Sequence, residues 1–82
     1  MHPQSERMTA AMRKHESMGE YIVRIITEMK PGTVFTARQL AHSLENVCRH
    51  WSITPSAMGI RLRRMTDLIE IEDGKPMIYR RR

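Results

Sequence analysis

Four arginines on a stretch of chain without acidic residues are the side chains best suited to chemistry in this sequence. Arg49, Arg61, Arg63 and Arg64 all lie in the range 46–66, where no Asp or Glu occurs. A guanidinium group donates paired hydrogen bonds to phosphate oxygens or to the edge of a guanine base. The pattern therefore predicts contact with a phosphate-bearing polyanion. The alternative is that the three arginines after residue 60 form only a solvated helix face.

A second basic group lies towards the end of the chain, where Lys75 and the run Arg80, Arg81 and Arg82 occur. We expect these side chains to bind phosphate, with the three arginines following the last strand without an acidic neighbour. Three carboxylates in the same region would be repelled by a phosphate backbone: Glu70, Glu72 and Asp73. The tip of this segment is therefore not expected to grip a nucleic-acid groove. Two alternatives are that Lys75 pairs with Glu72 across a turn and that the arginines form a disordered, nonspecific arm.

Residue types that serve metal binding or catalysis are sparse. His42 and His50 are eight positions apart, whereas paired histidine ligands on a helix are four apart, and no carboxylate accompanies them at ligand spacing. Cys48 lies on an apolar stripe, which favours a small core residue, and as the single cysteine it excludes an intrachain disulfide. No glycine-rich phosphate loop occurs, and Gly59 lies inside a helical pattern. We expect no enzyme, no metal and no cofactor.

The elements that must position these residues follow from apolar periodicity. Residues 18–82 are expected to form one folded domain, after an N-terminal arm or partner-dependent helix over 1–17. Met8 and Met12 in that arm predict a docking surface for a second copy, and hence a homodimer. The predicted elements of the domain are a helix over 18–29, a strand over 33–35, a helix from 37 to about 50, a helix over 54–65, and strands over 68–72 and 75–79.

Cap and turn residues mark the predicted boundaries. Thr36 and Gln39 have the spacing of a capping box at the start of the second helix. Thr54, followed by a proline, has the pattern of a helix start at the third. Asp73-Gly74 predicts a two-residue hairpin turn between the last two strands.

Length and composition fit a small intracellular module. The 82 residues allow one modest core, and 14 Lys plus Arg against 9 Asp plus Glu give a formal charge of +5, which favours a polyanionic partner. The apolar runs are too short for a membrane span or a signal segment. Only four aromatic residues occur, which disfavours single-stranded nucleic acid because its bases need stacking platforms. We therefore expect a cytoplasmic, nucleoid-associated location and no membrane partner.

The order of these elements, with the last hairpin directly after the third helix, resembles the winged helix-turn-helix family over residues 18–80. The resemblance is carried by four segments: Thr36-Ala37-Arg38-Gln39-Leu40-Ala41, Ile53-Thr54-Pro55-Ser56-Ala57-Met58, Leu62-Arg63-Arg64-Met65 and the Ile69 to Tyr79 hairpin. It implies an α+β fold with three core helices and a C-terminal β-hairpin wing. It also implies that the third helix enters the major groove of double-stranded DNA.

Carried over by position, the resemblance implies which residues contact DNA. Ser56, Ala57, Ile60, Arg61 and Arg64 would meet base edges, where Arg suits guanine, Ser a base or phosphate, and an apolar side chain a thymine methyl. Further candidates lie in the preceding turn, on the third helix and in the C-terminal segment: Arg49, Thr54, Arg63, Lys75, Arg80, Arg81 and Arg82.

Three functions remain open at this point. The first is a small transcriptional regulator that reads a specific site as a dimer. The second is a nucleoid-associated or chromatin architectural protein that binds DNA with little sequence preference. The third is a winged-helix module for protein interaction in a replication complex, because the run Ala57–Leu62 is also similar to winged-helix modules of viral and plasmid replication proteins.

Overall fold

Helix α1, Met18–Thr27, begins at a capping box that the sequence analysis did not include. The computed structural model describes residues 16–82, so the predicted arm and its docking methionines lie outside the described residues, apart from Glu16 and Ser17. The Ser17 hydroxyl accepts a hydrogen bond from the Glu20 N–H at 3.1 Å, and the Glu20 carboxylate accepts one from the Ser17 N–H at 2.9 Å. These two bonds satisfy amide groups that a helix start leaves unpaired.

The end of α1 comes two residues earlier than predicted, although Met29 is still buried in the core. Pro31 and Gly32 follow, and Gly32 adopts φ +91°, a left-handed conformation that favours glycine. Strand β1, Val34–Phe35, comes next. The predicted capping box then starts helix α2, Ala37–Val47: the Thr36 hydroxyl accepts from the Gln39 N–H at 3.1 Å, and the Gln39 carbonyl oxygen accepts from the Thr36 N–H at 2.9 Å.

The predicted extension of α2 to about His50 is wrong. Cys48 has an extended backbone, with φ −146° and ψ 117°, and the chain turns at Arg49 and His50. From this turn the Trp51 ring reaches Tyr21 of α1, with ring centroids 5.3 Å apart. Trp51 is partly buried against the core from this loop. Its helical spacing therefore reflects contact with the core and not continuation of the helix.

Helix α3, Pro55–Arg63, starts where predicted. The Thr54 hydroxyl accepts from the Ala57 N–H at 3.1 Å, and proline occupies the first turn, where its missing N–H needs no partner. Met58 and Leu62 are completely buried and pack α3 onto the core. The helix ends at Arg63 with Arg64 as its C-cap, slightly before the predicted Met65.

Strands β2, Ile69–Glu72, and β3, Ile78–Arg81, complete an antiparallel sheet in the order β1-β3-β2. Residues 73–77 connect β2 to β3, so the predicted two-residue turn at Asp73-Gly74 is wrong, as is the predicted start of the last strand at Lys75. The loop includes a cis peptide bond between Lys75 and Pro76.

The physical reason for this register is the position of Tyr79. The observed pairing sets Tyr79 opposite Ile71 and Glu70 opposite Arg80. A two-residue turn would shift the pairing by three positions, and an odd shift exchanges the faces of a strand. It would place Tyr79 with the acidic side chains of β2. Burial of Tyr79 and Ile69 therefore outweighs the local preference of Asp73-Gly74 for a tight turn.

The core lies between the three helices and one face of the sheet. Its largest members are Tyr21, Phe35 and Tyr79, and the Phe35 and Tyr79 ring centroids are 5.9 Å apart. None of the described residues that are buried in this core is charged. Residues 16–82 thus form a small α+β domain with three helices and a three-stranded sheet. None of these helices has both the length and the apolar character needed to span a membrane.

Candidate nucleic-acid interface

The outward face of α3 carries most of the predicted contact residues. Ser56, Ala57, Ile60, Arg63 and Arg64 are all exposed, and Ile60 keeps 57% of its surface accessible. Because the two buried residues of α3 occupy the opposite side of the helix, this set forms a continuous surface. Thr54 is also exposed, but its hydroxyl already serves as the N-cap.

Arg61 lies at the edge of this face nearest to α1. Its Nη1 would be 3.2 Å from a Cβ at Gly19, so the guanidinium rests against the start of α1 where no side chain intervenes. Arg61 is still exposed as a residue. The structure therefore places it beside Ala57 and Arg64, but with its charged end directed to the flank of the helix.

The arginines of the acid-free stretch have no carboxylate partner among residues 16–82. Ion pairs in this part of the chain are confined to Arg24 of α1, which pairs with Glu16 and Glu28, and to the outer side of the hairpin. Arg49 is exposed in the turn after α2, ahead of α3. Arg63 makes one weak contact, in which Nη2 donates to Met77 Sδ at 3.7 Å. The charge on α3 is therefore available to an anionic partner.

A groove of about 450 Å³ runs along one side of α3, between the start of α2 and the hairpin loop. Arg38 of α2 and Arg63 of α3 both line it, together with Ile60 and Met77. At Gly59 a Cβ would come within 3.4 Å of the Tyr79 hydroxyl, so α3 and β3 are closely packed beneath the groove.

Sequence reasoning missed Arg38 as a site residue. The sequence pattern indicates Arg38 only as part of the capping segment of α2, although the residue is exposed beside α3. The available signal was its position two residues after Thr36, in the first turn of the helix that precedes α3. Only the packing of α2 on α3 shows that Arg38 and Arg63 line the same groove.

Lys75 is exposed on the loop between β2 and β3 and does not pair with Glu72. The Glu72 carboxylate instead lies 3.6 Å from Arg80 Nη2. The alternative of a cross-turn Glu72–Lys75 ion pair is therefore wrong, because the five-residue loop moves Lys75 out of register with Glu72.

The expectation that Arg80, Arg81 and Arg82 follow the last strand is wrong, and so is the alternative of a disordered arm. Arg80 and Arg81 belong to β3, and each terminal arginine has an intramolecular partner. Arg82 Nε donates to the Thr66 carbonyl at 2.7 Å, and its Nη1 is 3.4 Å from the Glu70 carboxylate. Acidic neighbours are therefore present, contrary to expectation, because β2 and β3 place Glu70 and Glu72 next to these arginines.

Arg81 joins the end of the sheet to the end of α1. Its Nε donates to the Ile26 carbonyl at 2.9 Å and its Nη2 donates to the Thr27 carbonyl at 3.1 Å. The last carbonyls of a helix lack intrahelical partners and carry partial negative charge, so a guanidinium stabilises them. Arg81 is thus a structural side chain of this domain.

No family model matches this chain, and the comparisons with curated proteins and with solved structures found no match either.

Proposed function

We propose that residues 16–82 form a winged helix-turn-helix domain that binds double-stranded DNA with α3 in the major groove. The element order and the hairpin after α3 support this reading, since a small α+β domain of three helices and an antiparallel sheet is compatible with that fold. A single helix held on the core by buried residues and exposed on its other side has the shape needed to enter the groove.

The charge of the outward α3 face is the observation that carries the proposal. The range 46–66 contains four arginines and no acid, and none of them has a carboxylate partner among the described residues. Exposed, unpaired guanidinium groups on a helix suit phosphates and guanine edges. Arg80, Arg81 and Arg82 are left out of the proposed interface, because Arg81 already binds the end of α1 and the other two lie beside Glu72 and Glu70.

With α3 in the major groove, the exposure of Ile60 favours a regulator that reads a specific site, because the apolar wedges of architectural proteins enter the minor groove. An apolar side chain at the centre of the face gains nothing from phosphate, whereas base edges offer an apolar methyl group. Competition with unrelated duplex at physiological salt separates the two functions. A specific regulator resists such competition by about a thousandfold or more, and an architectural protein does not.

Fluorescence anisotropy with a labelled duplex tests the proposal. Arg63→Ala and Arg64→Ala are each expected to weaken binding by about 1–3 kcal/mol if they read bases, and uniformly across sequences if they touch phosphate. Arg80→Ala is the matched control, because this exposed arginine lies beside acidic side chains on the hairpin. If the Arg63→Ala/Arg64→Ala double variant binds as the parent does, the α3 interface is wrong. If the parent binds no duplex at moderate salt, DNA binding is wrong and the alternative of a protein-interaction module is favoured.

A further inference from the structure

Ile60 occupies the centre of the outward face of α3. Met58 and Leu62, two positions before and after it, are completely buried. At 3.6 residues per turn, positions two apart lie about 200° apart around the helix axis. Ile60 therefore points almost directly away from the core, and 57% of its surface is accessible, the largest value among the exposed large hydrophobic residues of the described chain.

The neighbours of Ile60 leave its side chain prominent. Ser56 and Ala57, one turn earlier on the same face, are short side chains. Arg63, one turn later, donates to Met77 at the hairpin loop, and Arg64 is exposed beside it. The accessible apolar side chain of Ile60 therefore lies between short side chains on one side and basic groups on the other.

A basic face with an apolar centre matches one chemical feature of a polyanion. Phosphates offer no apolar contact and sugars offer the same one beside every base, whereas the major groove exposes the 5-methyl group of thymine between phosphate-bearing strands. A protein partner would have to bring acidic side chains to these arginines as well as apolar surface to Ile60. Duplex DNA carries a negative charge at every phosphate, so charge favours the nucleic-acid partner.

We infer that Ile60 reads a pyrimidine 5-methyl group in the major groove, an inference that rests on the proposed DNA binding. The bound site then contains a methylated pyrimidine opposite this side chain. Thymine and 5-methylcytosine present that group at the same place on the base. Ala57 is too short to replace Ile60 in this contact. Ser56 and the arginines supply the polar contacts on either side.

The test uses the full chain and a duplex of about 20 base pairs enriched from a random pool. The duplex is then synthesised with deoxyuridine in place of thymine, one position at a time. Loss of one methyl is expected to weaken binding by about fourfold at a single position, the factor for one buried CH₂-sized group. Replacing that T·A pair with C·G weakens binding, and 5-methylcytosine there restores part of the loss relative to cytosine.

Ile60→Ala provides the matched variant, since truncating an exposed side chain leaves the core intact. It is expected to bind the thymine and deoxyuridine duplexes equally, because the contact that distinguishes them is gone. Val23→Ala is the control: Val23 is 48% exposed on α1, and its truncation leaves the fourfold preference unchanged. Circular dichroism confirms that each variant is folded.

Other outcomes separate this inference from the proposed function. If the parent binds duplex but enriches no sequence, or binds thymine and deoxyuridine equally at every position, methyl reading is refuted and DNA binding stands. A preference that persists in Ile60→Ala also refutes the role of Ile60. If no duplex binds, while Ile60→Ala abolishes binding to a protein, both proposals fail and the face is a protein-docking surface.

Discussion

Replacement of Arg81 by alanine is expected to lower the unfolding free energy of the domain, although Arg81 is the second-last residue of the sequence. The Nε hydrogen bond to the Ile26 carbonyl is partly buried, and the Nη2 bond to the Thr27 carbonyl is exposed. Both join a charged donor to the negative end of a helix. A charge-assisted bond of the first kind contributes about 1.5 kcal/mol, and the exposed bond with the helix-end charge contributes about 0.5–1 kcal/mol.

The expected loss of unfolding free energy is therefore about 2 kcal/mol. For a domain of this size that corresponds to a fall in Tm of about 8–16 °C. Arg81→Lys should fall between the parent and Arg81→Ala, because lysine keeps a charge near the helix end but has no planar fork to bond both carbonyls.

Urea denaturation followed by circular dichroism measures the effect. Arg80→Ala is the control, since the Arg80–Glu72 ion pair is 3.6 Å long with side chains 45% and 67% exposed, and such pairs contribute about 0–1 kcal/mol. If Arg81→Ala unfolds at the same urea concentration as Arg80→Ala, Arg81 does not anchor α1 to the sheet. If instead it leaves stability unchanged and flattens the salt dependence of DNA binding, the arginine is a phosphate contact after all.

Three further predictions concern caps, pH and assembly. Thr54→Ala should lower the unfolding free energy by about 1 kcal/mol, because it removes the acceptor of the Ala57 N–H; a urea midpoint equal to that of the parent would show that α3 needs no cap. Burial raises the pKa of the Tyr21 phenol above its ordinary value of 10.0, so the folded state favours the neutral form. The contribution of Tyr21 to the unfolding free energy is then full below pH 10.0 and falls as the pH rises through the folded pKa. Urea denaturation at about pH 9 and about pH 11 should show a smaller loss of unfolding free energy in Tyr21→Phe than in the parent. Removing residues 1–15 should shift any homodimer to monomer in sedimentation and keep the Ser17 capping box; an unchanged mass would place the interface within 16–82.

Local signals predicted the helix starts well, because caps act within four residues. The hydroxyl bonds of Thr36 and Thr54 both form as the sequence indicates. The same reasoning would have found Ser17, whose partner Glu20 has capping-box spacing. The exposed face of α3 was also predictable, since Met58 and Leu62 define its buried side.

Features that depend on strand register were not predictable from local pattern. Asp73-Gly74 has a strong preference for a tight turn, yet burial of Tyr79 sets a pairing three positions away. That pairing brings the terminal arginines next to Glu70, Glu72 and the end of α1, partners eight or more residues away in sequence. Arg38 was missed for the same reason, because its proximity to Arg63 depends on helix packing.

Mapping of backbone amide chemical shifts during titration with a duplex tests the central claim most directly, because it reports which surface meets DNA. We predict the largest changes over residues 54–64, with smaller changes in the loop over 73–77 where Lys75 is exposed. The outer side of the hairpin, where Glu70, Glu72 and Arg80 lie together, should change little. Changes concentrated on that surface or on α1, with α3 unaffected, would contradict the account.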